Sequence, residues 1–333
     1  MSEKSEHILD RNYINIYSIF IACLLLLFGF AGPDFWNIDS PKFNFSLVHR
    51  DLDKDDVKIN KLDKFNINKN YLSSDQINEK GKVLNWSNQI LKNTKNQLPL
   101  ARMYFPYIPK NMNQYNNLEK KKVFLSILLP IALRGNELIL EERKLMKVAF
   151  LTNNIYKIEH FAKRYNVKNY KKLNFGSLTS LQLDLIKKEL LTKINKIPIS
   201  MILAQAIIES GWGSSRFAKE GNALFGEWTW KNNVGIKPKG NLNANFAVKS
   251  FVDLLESLNS YILNLNRHTA YKEMRIFRDF TIKEGKIFTG LDAAAFLENY
   301  AEIGLAYVVK VTDMINSNKL YRFENAVLEK NYK

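Results

Sequence analysis

The chain of 333 residues has a single cysteine, Cys23, so no disulfide can close within it and no thiolate cage can hold a metal. Its four histidines, His7, His49, His160 and His268, are scattered without ligand spacing, which removes the usual zinc-hydrolase arrangement. A glycine loop of the phosphate-cradling kind is missing, as is a nucleophile elbow, so nucleotide binding and serine-esterase chemistry find no footing. Neither a metal nor a cofactor is expected. Acidic residues are the scarcer charge, 33 against 49 Lys+Arg, and the formal net charge is +16. That excess favours anionic partners such as phospholipid or cell-wall polymer. It also has a bland source, because Lys, Asn and Ile crowd nearly every segment. Nucleic acid is not an expected partner, since no recognition motif accompanies the lysines.

Long hydrophobic runs are equally scarce, with one exception. The charge-free stretch Asn12–Pro33 has an apolar heart at Ile14–Ala31, INIYSIFIACLLLLFGFA. At 1.5 Å per helical residue it suffices to cross about 30 Å of hydrocarbon. One N-terminal transmembrane anchor is therefore expected over 13–32, behind a short tail, 1–12. The rival is a cleaved signal peptide, with Gly29-Phe30-Ala31 as a small-x-small site, but the apolar run exceeds the usual signal core. Cys23 sits in a loose lipoprotein-like setting, yet more apolar chain follows it. Lys4 and Arg11 precede the run and only Lys42 follows closely, which favours an inward N-terminus and puts the remainder of the chain beyond the membrane.

The remaining composition, 46% hydrophobic and 25% charged, is that of a folded globular protein. From 33 to 117 the chain is rich in Asn, Lys and Asp and lacks sustained periodicity; it is expected as a juxtamembrane stalk with one helix near Ser74–Leu91. Helical patterns then dominate: Leu118–Glu137 with a kink at Pro130, Leu140–Tyr165, Ser180–Asn195 capped by Thr179 or Ser180, and Met201–Ser210 between a Ser200 N-cap and Gly211. The apolar stretch inside Leu118–Glu137 is too short for a second crossing, so it is expected as a buried helix. Between Ala223 and Phe251, Gly226, Gly235, Pro238 and Gly240 punctuate aromatic and β-branched residues, the mark of a small β-lobe. Helices resume at Val252–Asn266, Leu291–Ala301 and Ala306–Asn316. The expected fold is mainly α, of the α+β kind, with the domain at 118–320 and a tail at 321–333.

Chemistry concentrates in one stretch, AQAIIESGWGSSRFAKEGNALFGEW, residues 204–228. Glu209 falls in the last turn of an apolar helix, where the negative end of the helix dipole and an apolar surround both disfavour the carboxylate. A carboxyl kept protonated near neutrality can donate to a glycosidic oxygen. The competing reading is a surface ion pair with Arg216. Gln205, one turn earlier, shares the Glu209 face and is placed to bond substrate or Glu209.

That stretch resembles the signature of the glucosaminidase domain found in peptidoglycan-cleaving enzymes. KKKVFLSILLPIALRGNELILEERKLM upstream, with Ile197-Pro198-Ile199-Ser200, is similar more narrowly to the Bax protein family, membrane-associated members of that group. The resemblance covers 118–317. It implies a lysozyme-like fold with Glu209 as general acid, a cleft lined by Trp212, Phe225, Tyr300 and Tyr307, and a substrate-positioning or catalytic phenol at Tyr300, for which a buried helix tyrosine is the alternative. The sequence departs from the family at the second carboxylate: the short lobe offers only Glu227, with Glu302 as a remoter candidate, and the substrate's own N-acetyl group is the nucleophile if neither serves. Trp228 and Trp230 are candidates for stacking on sugar rings, as they are for packing. The implied activity is hydrolysis of the β-1,4 bond after N-acetylglucosamine in peptidoglycan glycan strands, at the bacterial inner membrane with the domain periplasmic, or secreted if the signal is cleaved. Alternatives are a lytic transglycosylase or muramidase of the same fold and a non-catalytic wall-binding module.

Overall fold

The computed structural model describes residues 70–231, 235–239 and 245–330, which fall within one unit, 45–333. The expected anchor at 13–32, the tail at 1–12, Cys23 and the expected stalk up to residue 69 lie outside the described residues. In chain order the helices are α1 (Ser74–Asn78), α2 (Lys80–Lys95), α3 (Asn117–Leu151), α4 (Ile155–Arg164), α5 (Ser180–Lys193), α6 (Ile199–Ser210) and α7 (Arg216–Gly221). The β-lobe follows, with β1 (Trp228–Thr229), β2 (Gly235–Ile236) and β3 (Ala247–Lys249). Then come α8 (Leu254–Arg267), α9 (Lys272–Lys283), α10 (Gly290–Ala294) and α11 (Leu305–Ser317). The expected mainly helical fold with a small β-lobe is what is observed.

The organising element is α3. It starts on a capping box in which the Asn116 side chain accepts from the Glu119 amide and Glu119 returns the bond. It then runs for 35 residues with Pro130 inside it, joining two segments that the sequence pattern had separated near Glu137. Its apolar middle, Val123 to Leu133, is buried throughout. The helix is long and apolar enough to cross a membrane by length and composition, yet it is the core helix around which α2, α6 and α8 pack. Gly135 permits the approach of α8: a Cβ there would meet Leu258 and Ile262 at 2.7 and 2.9 Å.

Residues 70–117 differ from expectation, since they are part of the packed domain and not a stalk. Ile77, Val83, Ile90, Leu100, Tyr104, Phe105, Ile108 and Met112 all enter the same core as the later helices. Ser126 on α3 donates to Ser87 on α2 at 2.7 Å, and Arg102 grips Glu137 with two bonds of 2.7 and 2.8 Å. The chain end is also packed. Leu100 bridges to Leu328, and Phe323 is buried, so residues 321–330 are no free tail. The helix expected near Ser74–Leu91 is present as α1 and α2, and the chain between α2 and α3 escaped periodicity because it buries isolated side chains against distant partners.

The sheet is antiparallel in the order β1-β3-β2, with Trp228 opposite Val248 and Ile236 opposite Val248 from the other side.

Candidate active site

Two anchors position α6, the helix that carries Glu209. At its start, Pro198 occupies the N-cap and offers no side-chain bond. The open amides are satisfied from the far end of the chain, Ile199 and Ser200 donating to the Glu324 carboxylate at 3.0 and 3.1 Å. The negative carboxylate also suits the positive end of the helix. Ser200, expected as the cap, instead donates its hydroxyl to Glu324 from inside the helix. The loop leading into α6 is pinned as well, with Asn136 and Ile197 exchanging bonds of 2.7 and 2.9 Å. Arg278 is buried and donates to the carbonyls of Thr192, Lys193 and Lys196 and to the Asn266 side chain.

At its other end α6 stops sharply. Gly211, Trp212 and Gly213 have φ of 57°, 58° and 72°, a left-handed run that reverses the chain just after Glu209. Trp212 thereby turns onto α3, edge-on to Phe124 with ring centroids 6.1 Å apart and with the Lys121 ammonium 5.1 Å from its ring centre. Arg216 binds Glu220 at 3.3 Å and the Lys237 carbonyl at 2.5 Å. The surface ion pair with Glu209 considered from sequence is therefore not formed.

Glu209 is half-buried and enclosed chiefly by aromatic residues. Its Oε1 accepts from the Tyr307 hydroxyl at 2.6 Å. Tyr307 accepts from the Gln205 Nε2 at 3.1 Å, and the Gln205 Oε1 accepts from the Tyr261 hydroxyl at 2.5 Å. The other carboxylate oxygen, Oε2, takes no hydrogen bond among the described residues and faces Gly226, whose notional Cβ would stand 3.5 Å away. Gly226 has φ of 64°, a conformation glycine adopts without strain. Loss of solvation pushes the Glu209 carboxyl from 4.5 up to about 7, against the opposing pull of the Tyr307 bond and the Lys310 charge.

Around this chain the aromatic side chains form a floor. Phe225 stacks on Tyr261 with centroids 3.9 Å apart, and Tyr300 stacks on Tyr307 at 5.1 Å. Tyr300 donates its hydroxyl to the Phe225 carbonyl at 3.2 Å. Burial drives the phenols of Tyr261, Tyr300 and Tyr307 well above their ordinary range, and the nearby Glu209 charge adds to the effect. These groups hold their protons and act as donors.

The structure thus brings Glu209, Gln205, Tyr300, Tyr307 and Phe225 together, but not all in the expected parts. Gln205 is fully buried and bonds tyrosines, not Glu209 or a surface where substrate could lie. Phe225 and Tyr300 are buried at 2% and 3% exposure and support the site from beneath instead of lining a cleft. Glu227 is buried where the lobe meets α8, accepting from Ser260 at 2.7 Å with the Lys249 ammonium 3.8 Å away. Trp228 stands on the lobe, half-buried, against Phe246 with centroids 4.3 Å apart. Sequence reasoning missed Tyr261 and Lys310. Tyr261 had one legible signal, as an inward-facing tyrosine on an amphipathic helix whose hydroxyl must find a partner. No group of acidic, histidine or cysteine residues able to hold a metal occurs among the described residues.

Comparison with known proteins agrees with the sequence signature. Residues 187–320 match the glucosaminidase family, described as mannosyl-glycoprotein endo-beta-N-acetylglucosaminidase. The chain is 30% identical over 199 residues to Protein bax of Escherichia coli (strain K12), a match spanning 56% of this chain and 66% of that relative. No solved structure matches. The match spans just under two thirds of that relative's length, and with α6, the β-lobe and α11 all inside the family-matched region the chain carries a glucosaminidase-family domain and is similar to Protein bax.

Proposed function

We propose that this chain hydrolyses the β-1,4 bond after N-acetylglucosamine in peptidoglycan glycan strands, with Glu209 as general acid. The observation that carries the reading is a half-buried carboxyl held up to about 7, with one oxygen engaged by Tyr307 and the other facing Gly226 at the root of the lobe. Such a group is about half protonated at neutral pH and is matched to its task by having a pKa close to the working pH. As the glycosidic bond breaks, the proton passes to the leaving oxygen and the carboxylate that remains keeps its bond from Tyr307. Trp228, half-buried on the lobe, is the stacking platform for a sugar ring in this reading, and Trp212 extends the surface beyond the helix end.

The electrophilic anomeric carbon still needs a nucleophile. Glu227 is the lobe's acid, but its bonds to Ser260 and Lys249 and its burial favour a role in holding β1 against α8. The substrate's N-acetyl oxygen then attacks in its place, closing an oxazolinium ring as the glycosidic bond breaks, and water opens that ring at the anomeric carbon while the Glu209 carboxylate takes its proton, an exception to the two-carboxylate scheme. A charge-free apolar run at 13–32 supports anchoring of the domain at the inner membrane, facing the periplasm.

Mass spectrometry of peptidoglycan digested by the full chain tests the reaction. Reducing-end N-acetylglucosamine is expected, and Glu209→Gln should abolish its formation. Anhydromuramic ends would assign a lytic transglycosylase instead, and cleavage at an equal rate by both proteins would remove Glu209 from the mechanism. The absence of cleavage by wild type, together with binding to the glycan, would mark a wall-binding module.

A further inference from the structure

The hydrogen-bond chain behind Glu209 has a direction, and the direction follows from counting protons. A tyrosine hydroxyl has one proton to give, and a glutamine amide gives only from nitrogen and accepts only at oxygen. The Tyr261 hydroxyl is buried, and its one acceptor among the described residues is the Gln205 Oε1, at 2.5 Å. Were the amide turned round, Tyr261 would receive a proton it does not need and its own would point into the core without an acceptor, a costly arrangement. Tyr261 therefore fixes the amide, with Nε2 toward Tyr307 at 3.1 Å. Having accepted there, Tyr307 must direct its own proton to the Glu209 Oε1 at 2.6 Å.

We propose that Tyr261 and Gln205 are positioning residues that fix which oxygen of Glu209 carries the acid proton, excluding it from Oε1 and holding it on Oε2, the oxygen toward Gly226. The inference rests on the reading of Glu209 as general acid. Neither residue touches substrate. Both act through Tyr307, and all three side chains are buried at 0–2% exposure, so water cannot substitute for a missing link. The relay also keeps one donor on Oε1 before and after proton transfer, so the group that must be a good acid is never left as a bare carboxylate.

Tyr261→Phe tests this directly, because the ring stacked on Phe225 is kept and only the oxygen is lost. The amide is then free to turn, Tyr307 divides its proton between Gln205 and Glu209, and the carboxylate loses part of its stabilisation. On peptidoglycan fragments, kcat should fall on the order of tenfold, the worth of one hydrogen bond to a charged group, with KM unchanged. The alkaline limb of the pH–rate profile should move to higher pH. Tyr307→Phe should move it further in the same direction, and adding Tyr261→Phe to Tyr307→Phe should change nothing more, since the relay's last link is already gone. Gln205→Glu, which accepts from both tyrosines and reverses the Tyr307 bond, should cost more than Gln205→Met. If Tyr261→Phe does not fold, Gln205→Glu carries the same comparison, because its carboxylate competes with Glu209 for the Tyr307 proton.

A Tyr261→Phe enzyme with the wild-type pH profile overturns the proposal, as does a lowered kcat with an unmoved alkaline limb, which would mean packing alone. Additive effects of the two phenylalanine substitutions would overturn it too. Glu209→Gln, assayed alongside, separates the two claims: if that variant stays active the acid assignment fails, whereas an inactive Glu209→Gln with a normal Tyr261→Phe defeats only the relay.

Discussion

Replacement of Glu209 by glutamine should make the protein more stable above neutral pH, and the size of the effect follows from the site. Raising a carboxyl from 4.5 to about 7 makes its ionisation costlier by about 3 kcal/mol in the folded chain, an upper figure because the half-buried group is partly screened by solvent. Below pH 4.5 both folded and unfolded chains carry the proton, and the group contributes its full share. Between 4.5 and about 7 the unfolded chain has released a proton that the folded chain still holds, so stability declines as pH rises. Above that range the whole cost is present. Glutamine has the same shape, keeps the bond from Tyr307 and cannot ionise. Urea unfolding of the full chain in detergent, followed by tryptophan fluorescence between pH 4 and pH 8.5 or so, measures the difference. The variant and wild type should match at the acid end, and the variant should be ahead by about 2–3 kcal/mol at the alkaline end. A difference that does not vary with pH would refute the argument, because it would mean that Glu209 ionises as freely in the folded chain as in the unfolded one.

Four further outcomes rest on separate features. Glu324→Ala strips the α6 amides of Ile199 and Ser200 of their acceptor and should lower stability by about 2 kcal/mol, read by thermal melting. Gly290→Ala places a Cβ 2.0 Å from the Ser200 hydroxyl and 2.8 Å from the Met201 amide nitrogen, which should cost about 1–3 kcal/mol. Gly81→Ala, on an exposed helical turn with its nearest neighbour 3.9 Å off, should instead stabilise by about 0.5 kcal/mol, making the two glycines opposite in sign in the same assay. Arg278→Met removes the donors that hold the carbonyls at the end of α5 and should destabilise by about 3–5 kcal/mol, measured as a shift of the urea midpoint.

Local signals served well where the chain's structure is local. The capping box at Thr179 and Gln182 starts α5 where Thr179 or Ser180 was expected to cap, and Gly211 ends α6 in the left-handed conformation. Glu209, recognised from its place in the last turn of an apolar helix, is the carboxyl that burial raises. The lobe between Phe225 and Phe251 was legible from its glycines. Where the partner is distant, local pattern was silent. The stretch after α2 read as stalk because Leu100, Tyr104 and Ile108 are single apolar residues outside any helix, buried against distant parts of the chain.

The sequence by itself determined the helical character, the place of Glu209 at a helix end and the likeness to the glucosaminidase domain, because each depends on residues close to one another along the chain. It determined the apolar run at 13–32 in the same way. Tertiary structure alone decided what surrounds the acid: Tyr261, 52 positions on, and Tyr307, 98 positions on, meet Gln205 and Glu209 only when α8 and α11 close over α6. It also decided that Gln205 bonds tyrosines, that Arg216 turns to the lobe, and that Glu324 caps α6 from near the chain's end. A pKa or a proton's direction is a property of the groups packed around an atom, and the order of residues along the chain does not contain that packing until the core has formed.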